Sequence, residues 1–214
     1  MKINDNLLSI SFNISNYLKL HVLIAFIFLI GVLNAGEEKA EISISGAWAL
    51  YPMAIKWALE YKKINPDIKF DIAAGGAGKG MADAIAGIID LGMVSRSINK
   101  AEIEKGAWWI SVTKDAVVPV CNTQNPYIND ILTKGMTKEK FKDIWISGEI
   151  TLWSQIFIGQ PEQDINVYTR SDACGAAETW ALFLDNKQED LLGTGVYGDP
   201  GLADAVIKDI FGIG

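Results

Sequence analysis

The 214-residue chain predicts an α/β fold with mainly parallel strand pairing, and three observations carry that prediction. Short β-runs alternate with longer segments of helical spacing, in the order β-α-β-loop-α over the first half of the folded part. The same alternation restarts after Cys121. Leaving a leader aside, about 179 residues remain, enough for one good core or two small ones. The pattern implies two α/β lobes around a ligand cleft, because the loops at the carboxyl ends of parallel strands are where open α/β sheets bind ligands.

The first element is a strand in which Ile42 and Ile44 alternate, ending at Ser45-Gly46. A helix comes next, with Pro52 in its first turn and Met53, Trp57, Tyr61 and Ile64 as its apolar face, opposite Lys56, Glu60 and Lys63. After the Asn65-Pro66-Asp67 turn, Ile68, Phe70 and Ile72 form a strand, and the loop Gly75 to Gly80 leads into a helix carrying Met81, Ile85 and Ile88. Asp90 to Val94 is the next strand. Asn99 with Glu102 three residues on is a capping box for a short helix. Trp108 to Val112 and Ala116 to Cys121 are apolar runs, the second expected as a buried strand crossing between lobes. Thr137 caps a helix bearing Phe141, Ile144 and Trp145, which ends at Ser147-Gly148-Glu149. Ile165, Val167 and Tyr168 form a strand, and Ala176 to Leu184 a helix. Gly198-Asp199-Pro200 opens a last helix, and Phe211 to Gly214 begins a further strand, so the chain is expected to be a fragment with its second lobe and return segment incomplete.

Residues 1–35 read as a signal peptide. Lys19 precedes an apolar run from Leu20 to Leu33, and Asn34-Ala35 offers a cleavage point that would leave Gly36 as the first mature residue. Leu33 is bulky for the third position before the cut, which keeps an uncleaved N-terminal anchor as the alternative. No cysteine is near enough for a lipid anchor. The domain boundaries expected are 1–35 for the leader, 36–115 for lobe 1 and 116–214 for a partial lobe 2.

Composition narrows the chemistry. Beyond the leader the chain holds 17 basic and 25 acidic residues, a formal charge of −8, which makes nucleic acid a poor partner. The single histidine, His21, is in the leader, so histidine-activated nucleophiles, histidine-bound zinc and histidine general bases are excluded from the mature part. Cys121 and Cys174 are the two cysteines, and both a disulfide and two free thiols are compatible with the sequence. No metal or cofactor is called for.

The richest segment is Thr169-Arg170-Ser171-Asp172-Ala173-Cys174-Gly175-Ala176-Ala177, a strand end, a cation, a carboxylate and a helix start. Unpaired backbone N–H groups and the positive end of the helix dipole attract an anion there. Arg170 adds a two-pronged contact, and ionised Asp172, able only to accept, favours a ligand that still carries a proton. Hydrogen phosphate has that chemistry. An Arg–Asp pair on the surface of an ordinary helix is the plain alternative. The glycine-rich loop is no Walker motif, which would need Gly at 73 and Ser or Thr at 80 where the chain has Ala73 and Gly80.

Taken together, these segments resemble the periplasmic phosphate-binding proteins of ABC transporters. The resemblance is carried by Ile44-Ser45-Gly46 through Tyr51-Pro52, the Gly75 to Gly80 loop, Asp90-Leu91-Gly92-Met93-Val94-Ser95-Arg96, the Ile144 to Trp153 stretch and Thr169 to Gly175. It implies a periplasmic-binding-protein type II fold and a monomer that captures phosphate, or a related tetrahedral oxyanion, for a membrane permease. It also implies ligand contacts at Ala49 and Leu50, at Gly76 and Ala77, at Ser95 and Arg96, and at Arg170, Asp172, Cys174, Gly175 and Ala176. The family's first loop usually supplies hydroxyls where Ala47, Trp48 and Ala49 stand, and serine or threonine is usual at Gly76, Ala77, Cys174 and Ala176. Each lost hydroxyl facing a charged group removes about 1.5–3 kcal/mol.

Trp48 is in that first loop and could narrow the cleft, whereas Trp108, Trp109, Trp145, Trp153 and Trp180 are expected in packing. Two other classes compete: a surface-anchored interaction module with an altered ligand, and a thiol-based phosphatase using Cys174 with its pKa lowered by the helix start and Arg170.

Overall fold

The computed structural model describes residue 21, residues 40–159 and residues 161–214. Apart from His21, the expected leader is outside the described residues, and the sheets and their helices are built from Glu41 onwards.

Among the described residues, six strands form two parallel three-stranded sheets. In the first, β1 (Glu41–Gly46) lies between β2 (Lys69–Ala74) and β3 (Leu91–Met93). The register pairs Gly46 with Ala74 on one side and with Met93 on the other, so the three carboxyl ends are level. Asp90 fixes where β3 starts, because its carboxylate accepts from both the backbone N–H (2.8 Å) and the hydroxyl (2.7 Å) of Ser43. In the second sheet, β4 (Asn166–Arg170) lies between β5 (Thr194–Val196) and β6 (Gly212–Ile213). Arg170 is level with Val196, which brings the residues after β5 alongside Arg170.

The connections are helical, as parallel pairing requires. A 3₁₀ turn at Trp48–Leu50 leads into α1 (Tyr51–Lys62), and α2 (Ala77–Ile85) joins β2 to β3. α3 (Lys100–Glu104) has the expected capping box, with Asn99 and Glu102 exchanging side-chain and backbone bonds. α4 (Ile128–Lys134) and α5 (Lys138–Lys142) come after it, and α5 continues as a π turn, Asp143–Ser147, that ends at Gly148 in the left-handed region, φ 70°. Then come α6 (Trp153–Ile156), α7 (Gly175–Phe183) and α8 (Gly198–Lys208).

The two cores are unequal. Tyr127, Ile144, Trp145, Trp153, Ile156, Phe157, Ile165, Leu184 and Ile213 form a large aromatic cluster around the second sheet, with Tyr127 stacked on Trp153 at 5.4 Å. The first sheet is closed by a smaller cluster, Ala47, Ala54, Ala77 and Met93, with Ile44, Leu50 and Ile72 against it.

Three expectations are corrected. α1 buries Ala54 and Ala58, while Met53, Trp57, Tyr61 and Ile64 are exposed. A helix carrying small residues on one side approaches a sheet more closely on that side, and the larger apolar residues are turned out. The apolar runs at 108–112 and 116–121 form no strand, and Trp108 is 84% exposed and Trp109 50%. A run buries itself as a strand only where a ladder partner accepts it. Within 116–121 just Cys121 does so, through an isolated bridge to Ile213 flanked by paired bonds between Val120 and Gly214. Ile88, expected on α2, is beyond its end and exposed. Both cysteines are free thiols, Cys174 buried and Cys121 partly so.

Candidate oxyanion site

Arg170 ends β4 with its side chain only 4% exposed. Burying a guanidinium without partners is prohibitive, and three bonds offset that cost. Nε donates to Asp172 Oδ1 (2.8 Å) and Nη2 to Asp172 Oδ2 (2.6 Å), a two-pronged pair, while Nη1 pairs with Asp199 Oδ1. Asp172 is buried with it and also accepts from the Gly198 backbone N–H at 3.2 Å. Burial works to lower the Arg170 pKa, but the Asp172 hydrogen bond and the surrounding negative groups outweigh it and hold the guanidinium above its usual value. The Arg–Asp pair read from the sequence therefore exists, as a buried pair.

Donor arithmetic leaves capacity for a ligand. Arg170 has five N–H groups and spends three, leaving one on each Nη; Asp172 offers about four acceptor positions and uses three. One donor fork and one acceptor on adjacent groups suit an oxyanion that carries a proton.

Loops from the first sheet close on this pair. The Gly75 and Gly76 N–H groups both donate to Gly46 O, at 2.9 and 3.0 Å, folding the glycine-rich loop back over the end of β1. Gly78 N–H donates to Ala173 O at 3.2 Å, joining that loop to the Arg170 loop. Gly76 has φ 92°, and a Cβ there would stand 3.0 Å from Asp172 Oδ2 and from Ala173 O, so only glycine fits. Gly175, first in α7, lies against Ser95, and a Cβ on it would come within 2.1 Å of Ser95 O. Gln188 fixes the intervening turn, its Nε2 donating to Asp172 O (2.7 Å) and its Oε1 accepting from Cys174 N–H (3.4 Å).

Of the remaining expected residues, Ala77 is fully buried and Ala176 half-buried at the start of α7. Ala49 is exposed, whereas Leu50 packs on the small core. Trp48 edges onto Tyr197 at 6.0 Å and lies against Gly198, and its indole N–H is buried with no acceptor. Arg96 gives its fork to Glu102 (3.0 and 2.5 Å) and reaches Glu178 of α7 at 3.4 Å. Cys174 is the N-cap of α7, its Sγ accepting from Ala177 N–H at 3.4 Å. Burial pushes its thiol pKa up, more than the Ala177 N–H and Arg170 pull it down, with Asp172 and Asp199 adding to the rise. The lowered pKa that a thiol nucleophile needs is not found there.

Sequence reasoning missed Asp199, Gln188 and the carboxylate partners of Arg96. Asp199 was visible only as the acid opening a helix. Its meeting with Arg170 depends on β5, a three-residue strand, Thr194-Gly195-Val196, too short and too glycine-rich to announce itself.

The comparisons with known proteins agree with this architecture. The PBP superfamily domain model matches residues 33–213, and the chain belongs to that superfamily. The phosphate-binding protein PstS of Bacillus subtilis is 30% identical over 152 residues, covering 69% of this chain and 48% of that protein. PstS 2 of Streptococcus agalactiae is 31% identical over 128 residues, 58% of this chain and 41% of that protein. The chain thus spans about half the length of such relatives or less. Among solved structures, a "putative phosphate ABC transporter substrate-binding protein with bound phosphate" from Clostridium perfringens superposes with a TM-score of 0.73 at 26% identity, over 81% of this chain and 69% of that one. An ABC-type phosphate transport receptor from Vibrio cholerae shares the fold, with a TM-score of 0.54 at 22% identity. The fold is the type II periplasmic-binding fold expected from the resemblance.

Proposed function

We propose that this chain is the extracytoplasmic binding component of an ABC transporter and captures phosphate, without catalysing any reaction, between two lobes spanning 36–115 and 116–214. The observation that carries this reading is the buried Arg170–Asp172 pair, on which loops from both sheets converge and where two N–H groups and one acceptor position remain. The names borne by its relatives point the same way.

In the proposed complex, Arg170 supplies the fixed positive charge and the N–H groups at the start of α7 supply neutral donors, aided by the helix dipole. Asp172 accepts a hydrogen bond from the proton that the ligand keeps. Ser95 adds a hydroxyl where the Arg96 loop meets Gly175, and Gly76 and Ala77 let the glycine-rich loop approach closely. The buried, unpaired indole N–H of Trp48 stands beside Gly198 and supplies a donor in a loop that has lost its hydroxyls. Export by the 1–35 leader delivers the protein to its permease; mass spectrometry of the secreted or membrane fraction would find mature protein starting at or near Gly36, and intact Met1 in soluble cytoplasmic protein would contradict it.

Calorimetry with an anion panel tests the main reading. Phosphate and arsenate are expected to bind at least about a hundredfold more tightly than sulfate, which has no proton for Asp172. Equal affinity for sulfate and phosphate, or a preference for molybdate, would refute it.

A further inference from the structure

Arg170 is contacted by two carboxylates that differ in kind. Asp172 is 7% exposed, bonded to two nitrogens of the guanidinium and anchored again by Gly198 N–H. Asp199 has a side chain 43% exposed and holds Arg170 through Nη1 alone, at the first turn of α8, where the positive end of the helix dipole favours a carboxylate. One is a fixture of the fold and the other stands at the rim. The local charge is then one positive against two negative, a net −1 at the position where the phosphate reading requires an anion to arrive. Like charges at contact distance in a partly dry site repel strongly. One of the two N–H groups left on the guanidinium is on Nη1, beside the one bonded to Asp199, so an incoming anion crowds that carboxylate.

We propose that Asp199 is an internal rival of the ligand: its carboxylate takes one edge of Arg170, and capture of an oxyanion displaces it into solvent. This inference rests on the phosphate reading and adds to it a residue that sets affinity without being needed for the ligand's own contacts. The rival bonds the third nitrogen of a buried arginine that Asp172 satisfies at the other two, and it weakens binding for every anion. It differs from Asp172 in this respect, since Asp172 discriminates by accepting a hydrogen bond from a protonated ligand whereas Asp199 opposes phosphate and sulfate alike.

The test is calorimetry of the 214-residue chain and of its Asp199→Asn and Asp199→Ser variants with inorganic phosphate and with sulfate. Serine is a good helix-start residue, so that variant carries the comparison should the asparagine one fold poorly. Both variants are expected to bind phosphate and sulfate about tenfold more tightly than wild type, with the ratio between the two anions unchanged. Weaker phosphate binding with tighter sulfate binding would mean that Asp199 accepts a hydrogen bond from the ligand's own O–H, and the rival role would be wrong. Unchanged affinities would place Asp199 out of the ligand's reach and overturn it equally. If wild type binds phosphate and the variants do not bind it more tightly, the rivalry alone fails; if neither wild type nor variants bind phosphate, the phosphate reading fails and the rivalry with it.

Discussion

At the scale of single residues, Arg170 neutralises the buried Asp172 and, on the proposed reading, also holds the ligand, so substitutions should register in both stability and affinity. Arg170→Ala strands Asp172 as an unpaired buried carboxylate, so urea unfolding should show a loss of about 3–5 kcal/mol, and phosphate affinity should fall by at least about tenfold. Arg170→Lys keeps the charge but not the flat fork that meets both Asp172 oxygens, and should lie between the two on both measurements. Cys174 calls for the opposite expectation. Its thiol pKa is raised chiefly by burial, so in a Cys121→Ser background it should react with iodoacetamide more slowly than a free thiol at neutral pH, and at the ordinary rate once the protein is unfolded in urea. Fast alkylation of the native protein would reopen a nucleophilic role.

At the scale of elements, the capping box of α3 offers a pH test. The Arg96 hydrogen bond, and with it the Asn99 N–H, holds the Glu102 carboxyl below its usual range despite some burial. A carboxyl lowered in the folded state stabilises above its unfolded pKa, and that contribution is lost as pH falls through the folded value. Glu102→Gln should therefore unfold more easily than wild type at neutral pH, and the gap should narrow below about pH 4. Comparing the two in urea at a series of pH values checks this. Such local signatures were legible in the sequence: the Asn99/Glu102 box, the Thr137 cap, Pro52 in a first turn and the Ile42 and Ile165 strands all depend on neighbours within a few positions. What was not legible depends on distant partners. Which face α1 buries is decided by how near the sheet stands, and Ala54 and Ala58 allow a closer approach than Trp57 and Tyr61. Whether Trp108 to Val112 becomes a strand is decided by who pairs with it. In the site the same division holds, since Arg170 and Asp172 are two residues apart and were found together, whereas Asp199 is brought in by a three-residue strand and was not.

At the scale of the molecule, what aligns the loops is the level ending of β1, β2 and β3 in one sheet and of β4 and β5 in the other. Neither sheet needs a special residue to do this, because parallel pairing in register already places all carboxyl ends on one side. Among the described residues no helix is long and apolar enough to cross a membrane. The second sheet has the larger aromatic core, while the first relies on alanines and one methionine, so local opening should be easier at the first.

The direct bonds and contacts that join Gly78 to Ala173, Gly76 to Asp172, Ser95 to Gly175 and Arg96 to Glu178 also have a kinetic meaning. If phosphate is captured between these lips, lips that touch must part before the ion can pass, and entry would then wait on the protein's own fluctuation. Capture followed by stopped-flow tryptophan fluorescence should speed up with phosphate concentration at first and then level off at a ceiling set by that parting. Glu178→Gln, which removes one charge from the seam, should raise the ceiling. A rate that climbs linearly to the highest concentrations would mean that the doorway stands open, and that the seam is sealed only after the guest has arrived.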